Sequence, residues 1–116
     1  MKSEDRIQQE CVQWFRNNYC LKHHKPRFKI FHVPNQNQQH LVSIGVEGGV
    51  SDLVMYGPNK NVLHIEMKVP RKGQSPNQKE WQQEVEALGF DYVVCDNLED
   101  FKTISLAFIK KCLHLG

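Results

Sequence analysis

Two short apolar runs joined by five turn residues, "DLVMYGPNKNVLHIEMKV" (52–69), restrict this chain more than any other feature. Runs of this length, bounded by Gly, Pro and Asn, predict strands over Leu53–Tyr56 and Val62–Val69, with "GPNKN" as a hairpin connection. In the second run, period-two alternation sends Leu63, Ile65, Met67 and Val69 to one face and His64, Glu66 and Lys68 to the other. One face belongs to a core and the other is a polar row. Asp52 opens the preceding strand, and an antiparallel hairpin can set that end beside the far end of the next strand, where Glu66 and Lys68 lie.

The flanking segments supply the rest of the architecture. Ile7, Cys11, Trp14 and Phe15 recur at helical spacing within residues 4 to 18, with Ser3 as N-cap and Glu4 and Asp5 at the positive end of the helix dipole. Pro26 stops any continuation, and "FKIFHV" (28–33) alternates as a short strand before the polar loop "PNQNQQH". After the hairpin, Ser75, Pro76 and Gln78 form an S-x-x-Q capping box, and Gly89 closes a helix whose Trp81, Val85 and Leu88 share a face. "FDYVVCD" (90–96) is a further strand, and Asn97 caps a last helix striped by Phe101, Ile104, Phe108 and Cys112. The order α, three β, α, β, α predicts an α/β domain spanning 1–116, with one mixed sheet flanked by helices. The last strand arrives through a helical crossover, so it should pair parallel to its neighbour.

Composition excludes several classes. A chain of 116 residues suffices for one domain with its own core. No apolar run approaches the roughly 20 residues of a membrane helix. "MKSEDRIQQE" lacks the apolar stretch of a secretory signal, which predicts an intracellular protein with no membrane partner. Cys11, Cys20, Cys95 and Cys112 form no C-x-x-C pair and are expected as buried, inert thiols. The six histidines show no helical zinc-ligand spacing. A net charge of +2 does not by itself identify a nucleic-acid binder. Two basic clusters, Lys22, Lys25, Arg27 and Lys29, then Lys68, Arg71 and Lys72, can contact phosphates or simply lie on solvated loops.

Chemistry concentrates around Asp52, Glu66 and Lys68. Two carboxylates with an ammonium suit Mg²⁺ or Mn²⁺, which are commonly held by one or two carboxylates plus substrate phosphate. Such a metal can polarise a phosphodiester and generate hydroxide near neutral pH, while a lysine orients the nucleophile. The plain alternative for E-x-K alone is a solvated ion pair worth about 0–1 kcal/mol. Other candidates carry equally plain alternatives. Gln78 can serve the helix cap alone, Trp81 the core, and Gly48 and Gly49 a turn. His64 on the polar face can meet a phosphate, and His32 and Asn35 can sit near the cleft or need no function.

In combination these segments resemble the virus-type replication-repair nuclease (VRR-Nuc) domains of the PD-(D/E)xK nuclease superfamily. "SEDRIQQECVQWF" resembles the opening helix, "HVPNQ" the second segment, "GVEGGVSDLVMY" the G-(V)-P-D motif, "HIEMK" the (D/E)-x-K motif, and "SPNQKEW" the helix that follows. The resemblance implies a restriction-endonuclease-like core and a Mg²⁺- or Mn²⁺-dependent DNA endonuclease, with no small-molecule cofactor. It also implies Asp52, Glu66 and the Met67 main-chain carbonyl as metal ligands, Lys68 as the catalytic lysine, and Gln78 in support. Lys25, Arg27, His64, Arg71 and Lys72 are then candidates for DNA contact. Ser51 stands where the family usually has proline. Glu4, Gln8 and Glu10 compete for the family's first-helix metal position, with Glu10 favoured because it lies one turn from Ile7 and Trp14. Minimal members of the superfamily often resemble Holliday-junction resolvases, which implies branched DNA as partner and a C2 homodimer to make two cuts. A non-catalytic DNA-binding module, or a subunit of a replication or repair assembly, is the competing function.

Overall fold

The computed structural model describes residues 3–34, 44–45, 47–69 and 72–114. Helix α1 (Glu4–Tyr19) is followed by strands β1 (Lys29–His32), β2 (Leu53–Gly57) and β3 (Asn61–Met67). Helix α2 (Pro76–Ala87), strand β4 (Asp91–Cys95) and helix α3 (Leu98–Cys112) complete the chain. The strands form one mixed sheet in the order β1-β2-β3-β4. β1, β2 and β3 are antiparallel in sequence, and β4 runs parallel to β3 as its crossover requires. Among the described residues no helix is long and apolar enough to cross a membrane.

Local chemistry accounts for each boundary. The Ser3 side chain accepts from the Arg6 N–H, and Glu4 and Asp5 fill the first turn of α1. Asn59 and Lys60, both at φ 63°, give the β2–β3 connection two consecutive left-handed residues, the backbone that matches hairpin twist. The Asn59 amide then donates to the Cys112 carbonyl at 2.8 Å, tying the hairpin to the end of α3. Ser75 and Gln78 complete the expected capping box, and Asn97 accepts from the Asp100 N–H at the start of α3.

The core occupies one face of the sheet, beneath α1 and α3. Ile7, Cys11 and Phe15 of α1 and Phe101, Phe108 and Cys112 of α3 bury against Leu53, Met55, Leu63, Ile65 and Met67. Edge-to-face rings thread this layer: Phe15 lies 6.2 Å from Phe28 and 6.4 Å from Phe101, and Phe28 lies 6.3 Å from Phe108. All four cysteines are free and buried there, and burial pushes the Cys11 thiol up to about 12.

Helix α2 departs from its predicted apolar face. It packs against β4, yet only Val85 of its residues is buried, and Leu88 is 76% exposed. Trp81 stays outside the core cluster as a half-buried ring whose indole N–H is buried without an acceptor. The reason is what α2 covers. It leans over the sheet face that carries Glu66 and Tyr92, so its inward positions meet polar groups through Gln82.

Candidate metal and active site

The hairpin register brings the first carboxylate to the second. Leu53 pairs with Ile65, so the next step outward sets Asp52 across from Glu66, on the face away from the core. Asp52 Oδ2 accepts the Met67 main-chain N–H at 2.7 Å. Its carbonyl accepts from the Val33 N–H at 2.8 Å and lies 2.9 Å from His32 Nδ1. The Gln8 amide nitrogen lies 3.2 Å from that same ring atom, so the His32 tautomer decides whether Nδ1 donates to the carbonyl or accepts from Gln8. Burial pushes the Asp52 carboxyl above its usual range; the Met67 N–H opposes the rise and the Glu66 charge adds to it. The loop before Asp52 is pinned as well. Gly49 sits at φ +81°, and a Cβ there would meet the Asn77 carbonyl oxygen at 2.7 Å.

Glu66 is only 1% exposed, at odds with a solvated strand pair. Its Oε1 accepts the Tyr92 hydroxyl at 2.7 Å and the Gln74 amide at 3.1 Å. The other N–H of Gln74 reaches Gln82 Oε1 at 2.8 Å. Glu66 Oε2 is buried with no hydrogen-bond partner among the described residues, and Lys68 Nζ stands 3.8 Å from it. Lys68 is itself buried, and its main-chain N–H donates to the Cys95 carbonyl at 2.8 Å, extending the β3–β4 ladder past Met67. Two buried charges in a low-dielectric pocket are costly unless other partners complete their coordination.

Several expected residues take other places. Glu10 pairs with Arg6 at 3.4 Å along α1, whereas Glu4 comes within electrostatic reach of the cluster. Burial and then Asp52 raise the Glu4 carboxyl, while Lys68 and Lys72 pull it down. Helical phase explains the choice, because Glu4 continues the buried stripe of Ile7, Cys11 and Phe15 by one further step toward the sheet end. Gln78 is engaged in its cap, accepting the Ser75 N–H at 2.9 Å, and the glutamines at the buried carboxylate are Gln74 and Gln82. His64 lies 3.3 Å from the Ser51 hydroxyl and edge-on to Phe90 at 5.6 Å. Burial lowers its pKa, which favours the uncharged ring. Ser51, in the place of the family's proline, is fully buried.

The basic clusters separate in the structure. Lys25 and Arg27 precede β1 at the end where Lys29 pairs with Tyr56, opposite the Asp52 end of the sheet, and Arg27 is bound to the Cys20 carbonyl at 2.6 Å. Lys72 is exposed and close enough to Glu4 to act on its charge. Arg71 and Asn35 lie outside the described residues. Beside Asp52, a cavity of about 460 Å³ is lined by Gln8, Gln9, Gln13, Arg16 and His32.

Among the described residues no three Asp, Glu, His or Cys side chains group as a metal site. Two carboxylates set across from each other match the sparse protein contribution typical of a Mg²⁺ site. The orphaned Glu66 oxygen across from Asp52 fits such an ion.

The family model of the VRR-NUC domain matches residues 2–97. The fold is similar to that of a solved VRR_NUC domain protein, with a TM-score of 0.76 and 23% identity over 95% of this chain and 92% of that one. A second solved structure, described as a VRR_NUC domain, has a TM-score of 0.64 at 14% identity, over 89% of this chain and 94% of the other. No curated protein matches the chain.

Proposed function

The chain belongs to the VRR-NUC domain family, a nuclease-type family, and from that premise we propose that it is a Mg²⁺- or Mn²⁺-dependent endodeoxyribonuclease acting on branched DNA. The observation that carries the reading is the buried Glu66 oxygen without a partner, set across from Asp52 and 3.8 Å from Lys68. Asp52, Glu66 and the Met67 carbonyl are the residues to hold the metal. When bound, the ion supplies charge to the scissile phosphate and acidifies water.

The protein's own groups do the remaining work. The Met67 N–H orients Asp52, so this carboxylate is held in place before substrate arrives. Lys68 aims a fixed positive charge at the phosphate and at the negative charge that develops during in-line attack. Its burial keeps competing water away and strengthens that interaction. Glu4 supplies a further carboxylate at the margin of the site and takes the first-helix role for which Glu4, Gln8 and Glu10 compete in the sequence. Lys72 and the polar cavity along α1 offer backbone contacts on either side. A small chain reads backbone shape more readily than bases, and paired incisions at a four-way junction call for a C2 homodimer.

Labelled four-way-junction, flap and linear duplex DNA, incubated with Mg²⁺, Mn²⁺ or chelator, test this directly. Cleavage should fall about a hundred- to a thousandfold in Asp52→Ala and Lys68→Ala, the loss expected when charge stabilisation of a transition state is removed. Paired cuts in the junction, lost with chelator, sustain the reading. Binding to DNA with no metal-dependent cleavage transfers it to a non-catalytic module, and a 13.6 kDa species alone in light scattering removes the homodimer.

A further inference from the structure

We propose that Tyr92 and Gln74 are positioning residues that occupy Glu66 Oε1 and so leave Oε2 as the oxygen presented to a divalent cation. The inference rests on the metal-site reading above and assigns two residues that neither the E-x-K motif nor the helix cap includes. A carboxylate oxygen has two lone-pair directions. Those of Oε1 are filled by the Tyr92 hydroxyl at 2.7 Å and the Gln74 amide at 3.1 Å. Oε2 is buried from solvent with no hydrogen-bond donor among the described residues, and Lys68 Nζ at 3.8 Å is beyond hydrogen-bond length.

That asymmetry is built in by three separate elements. β4 runs parallel to β3 with Tyr92 beside His64 and Val94 beside Glu66, so the long phenol leans one step along the strand to reach the carboxylate. Gln74 approaches from the connection into α2, and Gln82 of α2 accepts its second N–H at 2.8 Å. The amide orientation follows from the network. Reversed, the Gln74 carbonyl would face two acceptor oxygens. Gln82 therefore fixes Gln74, and Gln74 with Tyr92 fixes the carboxylate plane. A folded core has no need of such an arrangement, since an apolar side chain in place of Glu66 would leave no oxygen unpaired. Partners of this kind orient a metal-binding carboxylate, and their loss commonly weakens metal binding about 10- to 100-fold.

The experiment is calorimetric titration of Mn²⁺ into the DNA-free protein, with the thermal midpoint of each metal-free variant measured alongside. Tyr92→Phe should bind Mn²⁺ roughly tenfold or more weakly than wild type, whatever the change in its metal-free midpoint. Gln74→Ala, at a half-buried position outside the helices and strands, should weaken Mn²⁺ binding in the same direction and provides the readout if Tyr92→Phe fails to fold. A merely structural role would lower the thermal midpoint and leave the affinity of the folded protein unchanged. Wild-type affinity in a folded Tyr92→Phe variant, or in Gln74→Ala where Tyr92→Phe does not fold, overturns the assignment. Absence of Mn²⁺ binding by wild type, or unchanged binding in Asp52→Asn, overturns the metal-site reading itself and this inference with it.

Discussion

Strand β3 meets two environments that solve burial in opposite ways. On one face Leu63, Ile65 and Met67 disappear into a largely apolar layer under α1 and α3, where α3 also buries the Ser105 hydroxyl without a hydrogen-bond partner among the described residues. At the end of the other face, Glu66 is buried as deeply as Ile65 but depends on Tyr92, Gln74 and Lys68, and still keeps one oxygen unsatisfied. The apolar layer stabilises the fold, and the polar pocket draws on that stability. Stability–function opposition of this kind is the usual cost of a site poised for charge.

The contrast is broken most forcefully from the apolar side. Phe101 is fully buried and meets both Trp14 and Phe15 edge-on. Phe101→Ala should lower unfolding free energy by about 3–5 kcal/mol in denaturant titration, a large share of what a domain of this size possesses. Cleavage per folded molecule should be unaffected, because no site residue touches that ring in the network described above. A loss under about 1 kcal/mol would mean that the layer is not the source of stability.

An intermediate effect is expected where the two regions are joined. Gly49 closes the approach to Ser51 and Asp52 against the first turn of α2, with its φ of +81° and the Asn77 carbonyl 2.7 Å from where a Cβ would stand. Gly49→Ala should cost roughly 1–3 kcal/mol by overpacking and backbone strain. Unlike Phe101→Ala, it should also reduce cleavage in the population that remains folded, because this loop leads directly into Asp52 and a shift at Gly49 disturbs its contacts with Met67 and Val33. Equal turnover per folded molecule in the two variants would show that the loop does not position the site.

How far the sequence foretold this molecule follows the same division. The apolar layer depends on periodicity, which is local, so the order of seven elements, the hairpin and the parallel return of β4 were all legible. So was the meeting of Asp52 with Glu66, because hairpin register is local too. The supports of Glu66 were not. Tyr92 looks like one more residue of an apolar strand, and Gln74 and Gln82 look like helix-flanking polar residues until folding assembles three elements around one oxygen. Gln78 attracted attention because its spacing from Ser75 was visible, and that spacing serves the cap. Leu88 was read as core because a helix with an apolar residue at the right phase normally turns it inward. α2 covers a polar patch, and Leu88 remains in solvent. For α1 the sequence leaves Glu4, Gln8 and Glu10 open, and the 4, 7, 11, 15 spacing places Glu4 in line with the buried stripe, while Glu10 pairs with Arg6.

The subtlest difference between the regions concerns the sign of a stability change rather than its size. Burial is the main cause that raises the Asp52 carboxyl above its ordinary value of 3.8. A carboxyl raised by folding is held more easily in its protonated form. As pH climbs from 3.8 toward the raised folded value, the unfolded chain releases its proton first, so stability falls across that window and then stays at its lower level. In metal-free protein near pH 7.5, Asp52 is therefore a destabilising charge. Asp52→Asn keeps an oxygen for the Met67 N–H while removing the charge, and should raise the metal-free thermal midpoint at pH 7.5 even as cleavage disappears. The advantage should shrink as the buffer is taken toward pH 4, where the wild-type carboxyl takes up its proton. A substitution in the apolar layer has no such pH signature. A variant less stable than wild type at pH 7.5 would mean that the Met67 N–H and the Lys68 charge outweigh burial, making Asp52 a stabilising element like those on the opposite face of the sheet.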